Sequence, residues 1–264
     1  MYAFEFHRAK SVEEAVALLA QTQGKLIAGG QSLLGAMKLR LSSPPSVIDL
    51  GGIAELRGIR KEKDAIVIGA TTRHAEVAAS PEVRRAIPAL AALAEGIGDR
   101  QVRNLGTLGG SLANNDPAAD YPAGVLGLGA TVRTNKRAIA ADDFFRGMYE
   151  TALGDDEIIT AVSFPIPRRA AYVKFPNPAS RFALVGVFVA DTAGGMRVAV
   201  TGAAPSVFRA TEMEAALTKN FAPDAVRGVS IDPGKLNSDI HASAEYRAHL
   251  IGVLAARAVA QAAK

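Results

Sequence analysis

Residues 103–122 are the segment that most restricts how this chain can fold. They combine glycines, amides and hydroxyls with very few bulky apolar side chains, and Asp120 adds a carboxylate near the end. This composition predicts a turn-rich loop and neither a core strand nor a regular helix. Glycines let a backbone approach a ligand closely and leave N–H groups free to point at it.

A second segment of the same kind, residues 28–33, lies upstream and contains Gly29 and Gly30. A glycine pair by itself more often marks a tight turn, but the downstream segment adds side-chain donors and acceptors. Two such segments in one chain indicate two contacts with one long ligand that carries phosphate. Neither segment matches G-x-G-x-x-G after a strand or G-x-x-x-x-G-K-[ST], so the sequence does not support a Rossmann site or a P-loop.

Length and composition bound the class of protein. A chain of 264 residues can bury a proper core, as one large domain or two of unequal size. It has no long apolar run, which predicts no membrane span, and its start lacks the pattern of a signal peptide, so we expect a cytoplasmic protein. The absence of cysteine excludes disulfides, thiolate zinc sites, cysteine-ligated iron–sulfur clusters and cysteine nucleophiles within this chain.

The charge balance leaves the kind of partner open. A net charge of +4 with a pI near 9.4 is compatible with a nucleic-acid-binding protein, an acidic protein partner or an anionic cofactor. The basic residues are scattered and there is no tryptophan, so we expect no nucleic-acid partner. A nucleic-acid-binding protein would also require a cationic cluster and salt-dependent binding.

The order of patterns along the chain predicts an α+β protein. The first 50 or so residues form a β-α-β pattern, in which residues 25–28 are expected to be a buried strand. Residues 165–169 are the best candidate boundary, and strand patterns follow at 171–175, 184–190 and 196–202. We therefore predict a domain over residues 1–168, with subdomains of about 1–55 and 56–168, and a C-terminal domain over 169–264 built from a three-stranded sheet with helices.

Few residues suggest acid–base chemistry. Asp120 alone is best interpreted as a helix cap or turn residue, Lys174 as a strand residue reaching solvent, and His74 as a cap at a helix start. The four histidines are expected at the surface or at caps, and none has metal-ligand spacing. The chain is therefore predicted to hold a cofactor and to contain neither a catalytic residue nor a metal site.

Four blocks in order carry a resemblance to a known family. They are residues 28–34 with 37–40 and 47–50, residues 68–72, residues 107–111 with 116–122, and residues 239–247. Together they resemble the FAD-binding medium subunit of the molybdenum hydroxylases, in particular the carbon monoxide dehydrogenase type. The resemblance extends over essentially the whole chain.

The resemblance implies a fold and a cofactor site. The fold is the vanillyl-alcohol-oxidase type, in which two α+β subdomains hold FAD and a small C-terminal α+β domain follows. Asp120 matches a position near the ribityl chain or ring, and Lys174 a basic position near the flavin ring, where a cation would stabilise the anionic reduced flavin. The resemblance implies pyrophosphate contacts by Ala28, Gly29, Gly30, Gln31, Ser32, Thr107, Leu108, Gly109, Gly110 and Ser111. It also implies a cofactor contact by Leu33 and apolar lining by Ile97 and Ile159.

The chain departs from the family at two places. Ser111 stands where some relatives carry Asn, and the proline-containing segment 175–183 lacks an expected acidic residue after the family's Arg. That segment is expected near the flavin ring. Some relatives carry a cysteine-bearing insertion for an additional iron–sulfur cluster, which this cysteine-free chain lacks.

The resemblance also implies a role in a complex. A large subunit with the molybdenum cofactor oxidises the substrate, and a small subunit with two [2Fe–2S] clusters passes electrons singly to FAD on this chain, which delivers them to an acceptor such as a quinone or NAD. The implied assembly is a dimer of heterotrimers. The alternative is a stand-alone FAD-dependent oxidoreductase of the same fold, which would require its own substrate pocket and catalytic base.

Overall fold

The computed structural model describes all residues 1–264. Its first part is a parallel three-stranded sheet of order β1-β3-β2. Ser11 caps the first helix by accepting the N–H of Glu14, and the Glu14 carboxylate accepts the N–H of Lys10. The elements are β1 (Glu5–Arg8), α1 (Val12–Thr22), β2 (Lys25–Ile27), α2 (Leu33–Lys38) and β3 (Ser46–Asp49).

The predicted β-α-β pattern is therefore confirmed, but the prediction of a buried strand at residues 25–28 is wrong. β2 lies at the edge of the sheet, so Lys25 is exposed and Leu26 and Ile27 are only half-buried. The fully buried strand is β3, because it pairs with β1 on one side and β2 on the other.

The middle of the chain builds an antiparallel five-stranded sheet of order β4-β5-β10-β6-β7, with helices packed on it. A two-stranded ribbon of β8 and β9 extends from it. The elements are β4 (Ile59–Glu62), β5 (Ala65–Gly69), α3 (His74–Ala79), α4 (Pro81–Ala86), α5 (Pro88–Glu95), α6 (Arg100–Leu105), α7 (Leu108–Asn114), α8 (Tyr121–Gly127), β6 (Thr131–Thr134), β7 (Ala138–Ala140), α9 (Ala141–Phe144), β8 (Phe145–Gly147), β9 (Glu150–Thr151) and β10 (Ile159–Pro165).

The prediction that residues 103–122 contain no regular helix is wrong. The end of α6, all of α7 and the start of α8 lie in this segment. Thr107 caps α7, and the helix buries Leu108 and Leu112. Position 109 requires glycine because α7 packs very close to the residue after β5: a Cβ there would lie 2.6 Å from the Cβ of Ala70. Tertiary packing thus outweighs the low helix propensity of glycine.

The last part is an antiparallel sheet of order β11-β12-β13-β14, covered by helices. The predicted three-stranded sheet is wrong by one element, because the two-residue strand β14 pairs with β13. A tight hairpin turn at residues 193–194 joins β12 and β13. The elements are β11 (Arg169–Pro176), β12 (Ala183–Thr192), β13 (Gly195–Thr201), β14 (Phe208–Arg209), α10 (Thr211–Lys219), α11 (Pro223–Arg227) and α12 (Ala244–Ala262).

Strand β12 is buried along its whole length because both of its faces are covered. Val187 and Val189 pack into the core beneath α12, whereas Phe188 and Ala190 pack into the core of the five-stranded sheet and its helices. A strand covered on both faces has a continuous apolar sequence, as β12 does. No helix is both long and apolar enough to cross a lipid bilayer.

Candidate functional site

A groove of about 650 Å³ runs between the three-stranded sheet and the helices on the five-stranded sheet. Both glycine-rich segments line it, and so do strand β2 and the first residue of β10. From the last part of the chain only Ser180, Arg181 and Phe182 reach it, at the tip of the hairpin between β11 and β12. Three separate parts of the chain thus form one site.

The upstream segment presents unpaired backbone donors to this groove. The N–H groups of residues 28–33 donate no hydrogen bond within the protein. Gly30 has a φ of +71°, a left-handed conformation that glycine adopts without strain. Successive unpaired N–H groups around such a turn form a concave site for an anion.

The downstream segment differs, because its first helical N–H groups are already used. Leu108 donates to the carbonyl of Thr72, Gly109 to that of Ala70, and Gly110 to the Thr107 hydroxyl. This segment therefore faces the groove chiefly with the Thr107 and Ser111 side chains and with the bare surface of its glycines. Its glycines serve close packing of α7 as well as access to a ligand.

Gly29 and His74 both pack against the backbone of Leu105 and Gly106, where the two segments touch. A Cβ on Gly29 would lie 2.1 Å from the carbonyl oxygen of Leu105, and one on Gly106 would lie 2.6 Å from Nε2 of His74. His74 is buried, correcting its prediction as a surface or capping residue, and its Nδ1 has no partner. Burial, together with the charge of Arg103, lowers the pKa of His74 to about 4, so the imidazole is neutral at pH 7.

Asp120 lies deep in the groove and is only 4% exposed. It occupies the residue before α8, yet its carboxylate caps no helix. Instead it accepts from the Tyr172 hydroxyl at 2.6 Å, and Nζ of Lys174 lies 3.0 and 3.2 Å from its two oxygens. Burial raises the pKa of Asp120, and the charge of Lys174 opposes that rise.

A second acidic residue at the groove is also paired. Glu157 forms a bidentate ion pair with Arg137, at 2.9 Å for each bond, and accepts from the Thr134 hydroxyl. These hydrogen bonds, above all those from Arg137, lower the pKa of Glu157 to about 2. The apolar residues Ile97, Leu153, Ile158 and Ile159 line the groove nearby.

Most of the residues proposed from the sequence lie together at this groove, and two do not line it. Leu108 is fully buried in the core, and the Lys174 side chain, 11% exposed, contacts Asp120 and the carbonyl of Arg181, two residues of the lining. The residues that line the groove are Ala28, Gly29, Gly30, Gln31, Ser32, Leu33, Ile97, Thr107, Gly109, Gly110, Ser111, Asp120 and Ile159.

Sequence reasoning missed His74 and the segment 153–158 as groove residues. His74 follows a strand and two threonines, which is a common helix start, and nothing local reveals that its ring is buried. Leu153, Asp155 and Glu157 precede β10, whose first residue, Ile159, lines the groove. They are brought there by the position of β10 in the middle of the sheet.

Comparison with protein families gives two matches that together span nearly the whole chain. Residues 2–167 match the model of the FAD-binding domain in molybdopterin dehydrogenase, and residues 170–262 match that of the CO dehydrogenase flavoprotein C-terminal domain. Both glycine-rich segments fall within the first match.

Characterised proteins of similar sequence include the carbon monoxide dehydrogenase medium chain of Hydrogenophaga pseudoflava. It is 36% identical, over 97% of this chain and 96% of its own length. The nicotine 6-hydroxylase medium subunit of Paenarthrobacter nicotinovorans is 37% identical, over 98% of this chain and 97% of its own length.

Solved structures agree with these matches. Carbon monoxide dehydrogenase from Hydrogenophaga pseudoflava superposes with a TM-score of 0.90 at 37% identity, covering 99% of this chain and 97% of that one. Quinoline 2-oxidoreductase from Pseudomonas putida 86 gives a TM-score of 0.88 at 29% identity, with the same coverage. The expected α+β fold class, an FAD-binding domain followed by a C-terminal domain, is confirmed.

Proposed function

We propose that this chain is an electron-transfer subunit, because it belongs to the family of FAD-binding flavoproteins of molybdopterin dehydrogenases. It would take electrons from [2Fe–2S] clusters of a small partner subunit and deliver them to an external acceptor. A large subunit would carry the molybdenum cofactor. The relatives' names, which call them medium chains or subunits, support a multi-subunit assembly, and we propose a dimer of heterotrimers.

The residues of the groove fit FAD. The unpaired N–H groups of residues 28–33 suit a pyrophosphate, because backbone donors at such a turn compensate its charge. The Thr107 and Ser111 hydroxyls face the same groove and add donors. Ile97 and Ile159 offer apolar walls of the kind that a flavin ring requires.

This chain's own residues bind and orient the cofactor, in this proposal, and do not transfer protons to a substrate. When bound, FAD supplies the redox chemistry. The observation that carries the proposal is that the groove presents backbone donors without hydrogen-bond partners, whereas its buried carboxylates are ion-paired. The donors at residues 28–33 are free, whereas the buried acids Asp120 and Glu157 are held by Lys174 and Arg137. Ion-paired acids of this kind are poor general bases.

The test is anaerobic reduction of the flavin in the full chain. The purified chain is loaded with FAD, desalted, and mixed with a pre-reduced [2Fe–2S] protein, the co-purified small subunit where it is present. Bleaching of the flavin absorption by the iron–sulfur protein, with no organic substrate added, is the expected result. Matched samples receive the oxidised iron–sulfur protein or the same amount of free FAD.

A different pattern would contradict the electron-transfer role. Reduction of the flavin by a small organic substrate, in the absence of any partner chain, would identify a stand-alone oxidoreductase. Failure of the reduced iron–sulfur protein to bleach a chain that retains FAD would also contradict the proposal.

A further inference from the structure

The segment 116–120 forms part of the groove wall, and the ends of two strands of the C-terminal sheet hold it. Ala183, at the start of β12, donates its N–H to the carbonyl of Ala118. Gly202, the residue after β13, donates its N–H to the carbonyl of Pro117 at 2.8 Å. The backbone of this segment therefore depends on donors that are distant in sequence.

The Thr201 hydroxyl, at the end of β13, adds a third contact. It lies 2.7 Å from the carbonyl oxygen of Ala119 and 3.1 Å from that of Pro117. The next residue, Gly202, has a φ of +81°, and a Cβ there would lie 2.4 Å from the carbonyl oxygen of Ala183. The ends of β12 and β13 thus form one closely packed support for the segment.

Arg247 of α12 joins these two strand ends. Its Nη1 donates to the carbonyl of Leu184 at 2.7 Å and to that of Gly202 at 2.9 Å, and its Nη2 donates to the carboxylate of Asp239 at 2.7 Å. Arg247 is only 3% exposed. A charge buried in this way costs free energy unless it is paired and hydrogen-bonded, and here its partners include both strand ends.

The sequence block 239–247, which cofactor binding leaves unexplained, is arranged around this arginine. One oxygen of Asp239 accepts two backbone N–H groups of the turn before α12, and the other accepts from Arg247. Ser243 caps the helix one turn before Arg247. The turn and the cap together fix where the guanidinium lies.

We infer that Arg247 is a positioning residue for the cofactor groove, which acts through the ends of β12 and β13 on the segment that leads into Asp120. Arg247 does not line the groove, so its effect on a ligand is indirect. Residues that fix the supporting contacts of a site determine how precisely its groups are placed. The consequence for FAD rests on the proposed function, whereas the support of the segment is independent of any cofactor.

The first experiment measures amide hydrogen exchange in the full chain by nuclear magnetic resonance. In Arg247→Met the strand ends lose their shared donor, so the amides of Ala183 and Gly202 should exchange roughly tenfold faster relative to that of Val187, in the middle of β12. This ratio removes the effect of a general loss of stability. Leu254→Ala, which truncates a buried side chain two turns further along α12, is the control and should leave the ratio unchanged.

Asp239→Asn is a milder variant of the same support. Asparagine keeps an acceptor for the turn and loses the charge that faces Arg247. The exchange ratio should rise by a smaller factor, and this variant decides the question if Arg247→Met does not fold. An unchanged ratio in the folded variants would overturn the inference.

The second experiment titrates FAD and records the visible circular dichroism of the bound flavin. Arg247→Met and Thr201→Val, which break the support at its two ends, should weaken FAD binding several-fold and alter the dichroism. Thr201→Ser keeps the hydroxyl and should restore the affinity, and Leu254→Ala should leave both properties unchanged. Equal affinity and dichroism in Arg247→Met and Leu254→Ala would overturn the inference.

Failure of the cofactor site is distinguishable from failure of this inference. A wild type that binds no FAD would refute the proposed site. The exchange ratio would still decide whether Arg247 supports the segment.

Discussion

Gly29 occupies the point where the two glycine-rich segments touch. A glycine pair in a sequence suggests a tight turn or access to a ligand. Sequence alone does not reveal a third reason for glycine, which is the close approach of another backbone segment. Here the backbone of Leu105 lies so close that any side chain at position 29 would collide with its carbonyl oxygen. The absence of a side chain at Gly29 thus allows the two glycine-rich segments to pack against each other.

Gly29→Ala should therefore weaken both folding and cofactor binding. We expect a loss of about 1–3 kcal/mol in unfolding free energy, as for an overpacked site, and a clear loss of FAD affinity. Gly35→Ala is the matched control, since a Cβ there meets nothing within 4 Å and the residue lies inside α2. It should stabilise the fold by about 0.5–1 kcal/mol. Urea unfolding and flavin titration would measure both effects, and equal behaviour of the two variants would contradict the explanation.

His74 makes stability depend on pH in one window. Its pKa falls from 6.5 to about 4 on folding, so the unfolded chain binds a proton that the folded chain rejects. Stability is unaffected above pH 6.5 and decreases as the pH falls from 6.5 to 4, by about 3 kcal/mol in all. His74→Gln should lack this component. Urea unfolding of both proteins at pH 7 and pH 4.5 would test it, and parallel losses in the two proteins would exclude His74 as the cause.

Helix α7 shows how an element can face a ligand and still be a regular helix. Its N-terminal donors are used by Thr72, Ala70 and Thr107, and its groove face is made of small residues. Its capping residue Thr107 lines the groove as well. The cap therefore has two roles, one for the helix and one for the site.

Thr107→Ala and Ser243→Ala separate these two roles. Each residue caps a helix by accepting the N–H three positions later at 3.2 Å, Thr107 in α7 and Ser243 in α12. Each substitution should cost about 1 kcal/mol of stability. Thr107→Ala alone should also weaken FAD binding, as measured by flavin fluorescence titration. Equal FAD affinities in the two variants would show that Thr107 acts only as a cap.

Local sequence patterns predict some features of the fold, and features that depend on contacts distant in sequence escape them. Local signals located the strands β11 to β13, because the alternation of apolar residues acts over a few positions. The helical state of residues 108–114 was missed because it depends on contact with Ala70, which is distant in sequence. The partners of Lys174 were missed for the same reason, since they come from three other parts of the chain.

At the scale of the whole molecule, β12 joins the C-terminal sheet to the rest. Phe188 contributes to the core of the five-stranded sheet, and its neighbour Val189 contributes to the core beneath α12. The two cores share one strand with no exposed residue between them. We therefore expect the chain to unfold as one cooperative unit although it comprises two family domains.

Substitutions on the two faces of β12 test this cooperativity. Phe188→Ala should cost about 3–5 kcal/mol and Val189→Ala about 2 kcal/mol, because each removes fully buried side-chain volume. Both substitutions should lower the melting temperature, and circular dichroism and calorimetry should each show a single transition at the same temperature. Separate transitions in Val189→Ala, with the earlier one confined to the C-terminal sheet, would contradict a shared folding unit.

The unpaired N–H groups of residues 28–33 have a consequence for how the protein acquires its cofactor in a cell. Backbone donors bind a diphosphate without distinguishing the base, sugar or ring attached to it. Abundant nucleoside diphosphates should therefore compete with FAD during assembly, and selection of the flavin should fall to the apolar end of the groove. Flavin content should accordingly vary between preparations with the nucleotide pool of the host, and extensive dialysis before reconstitution should remove that variation.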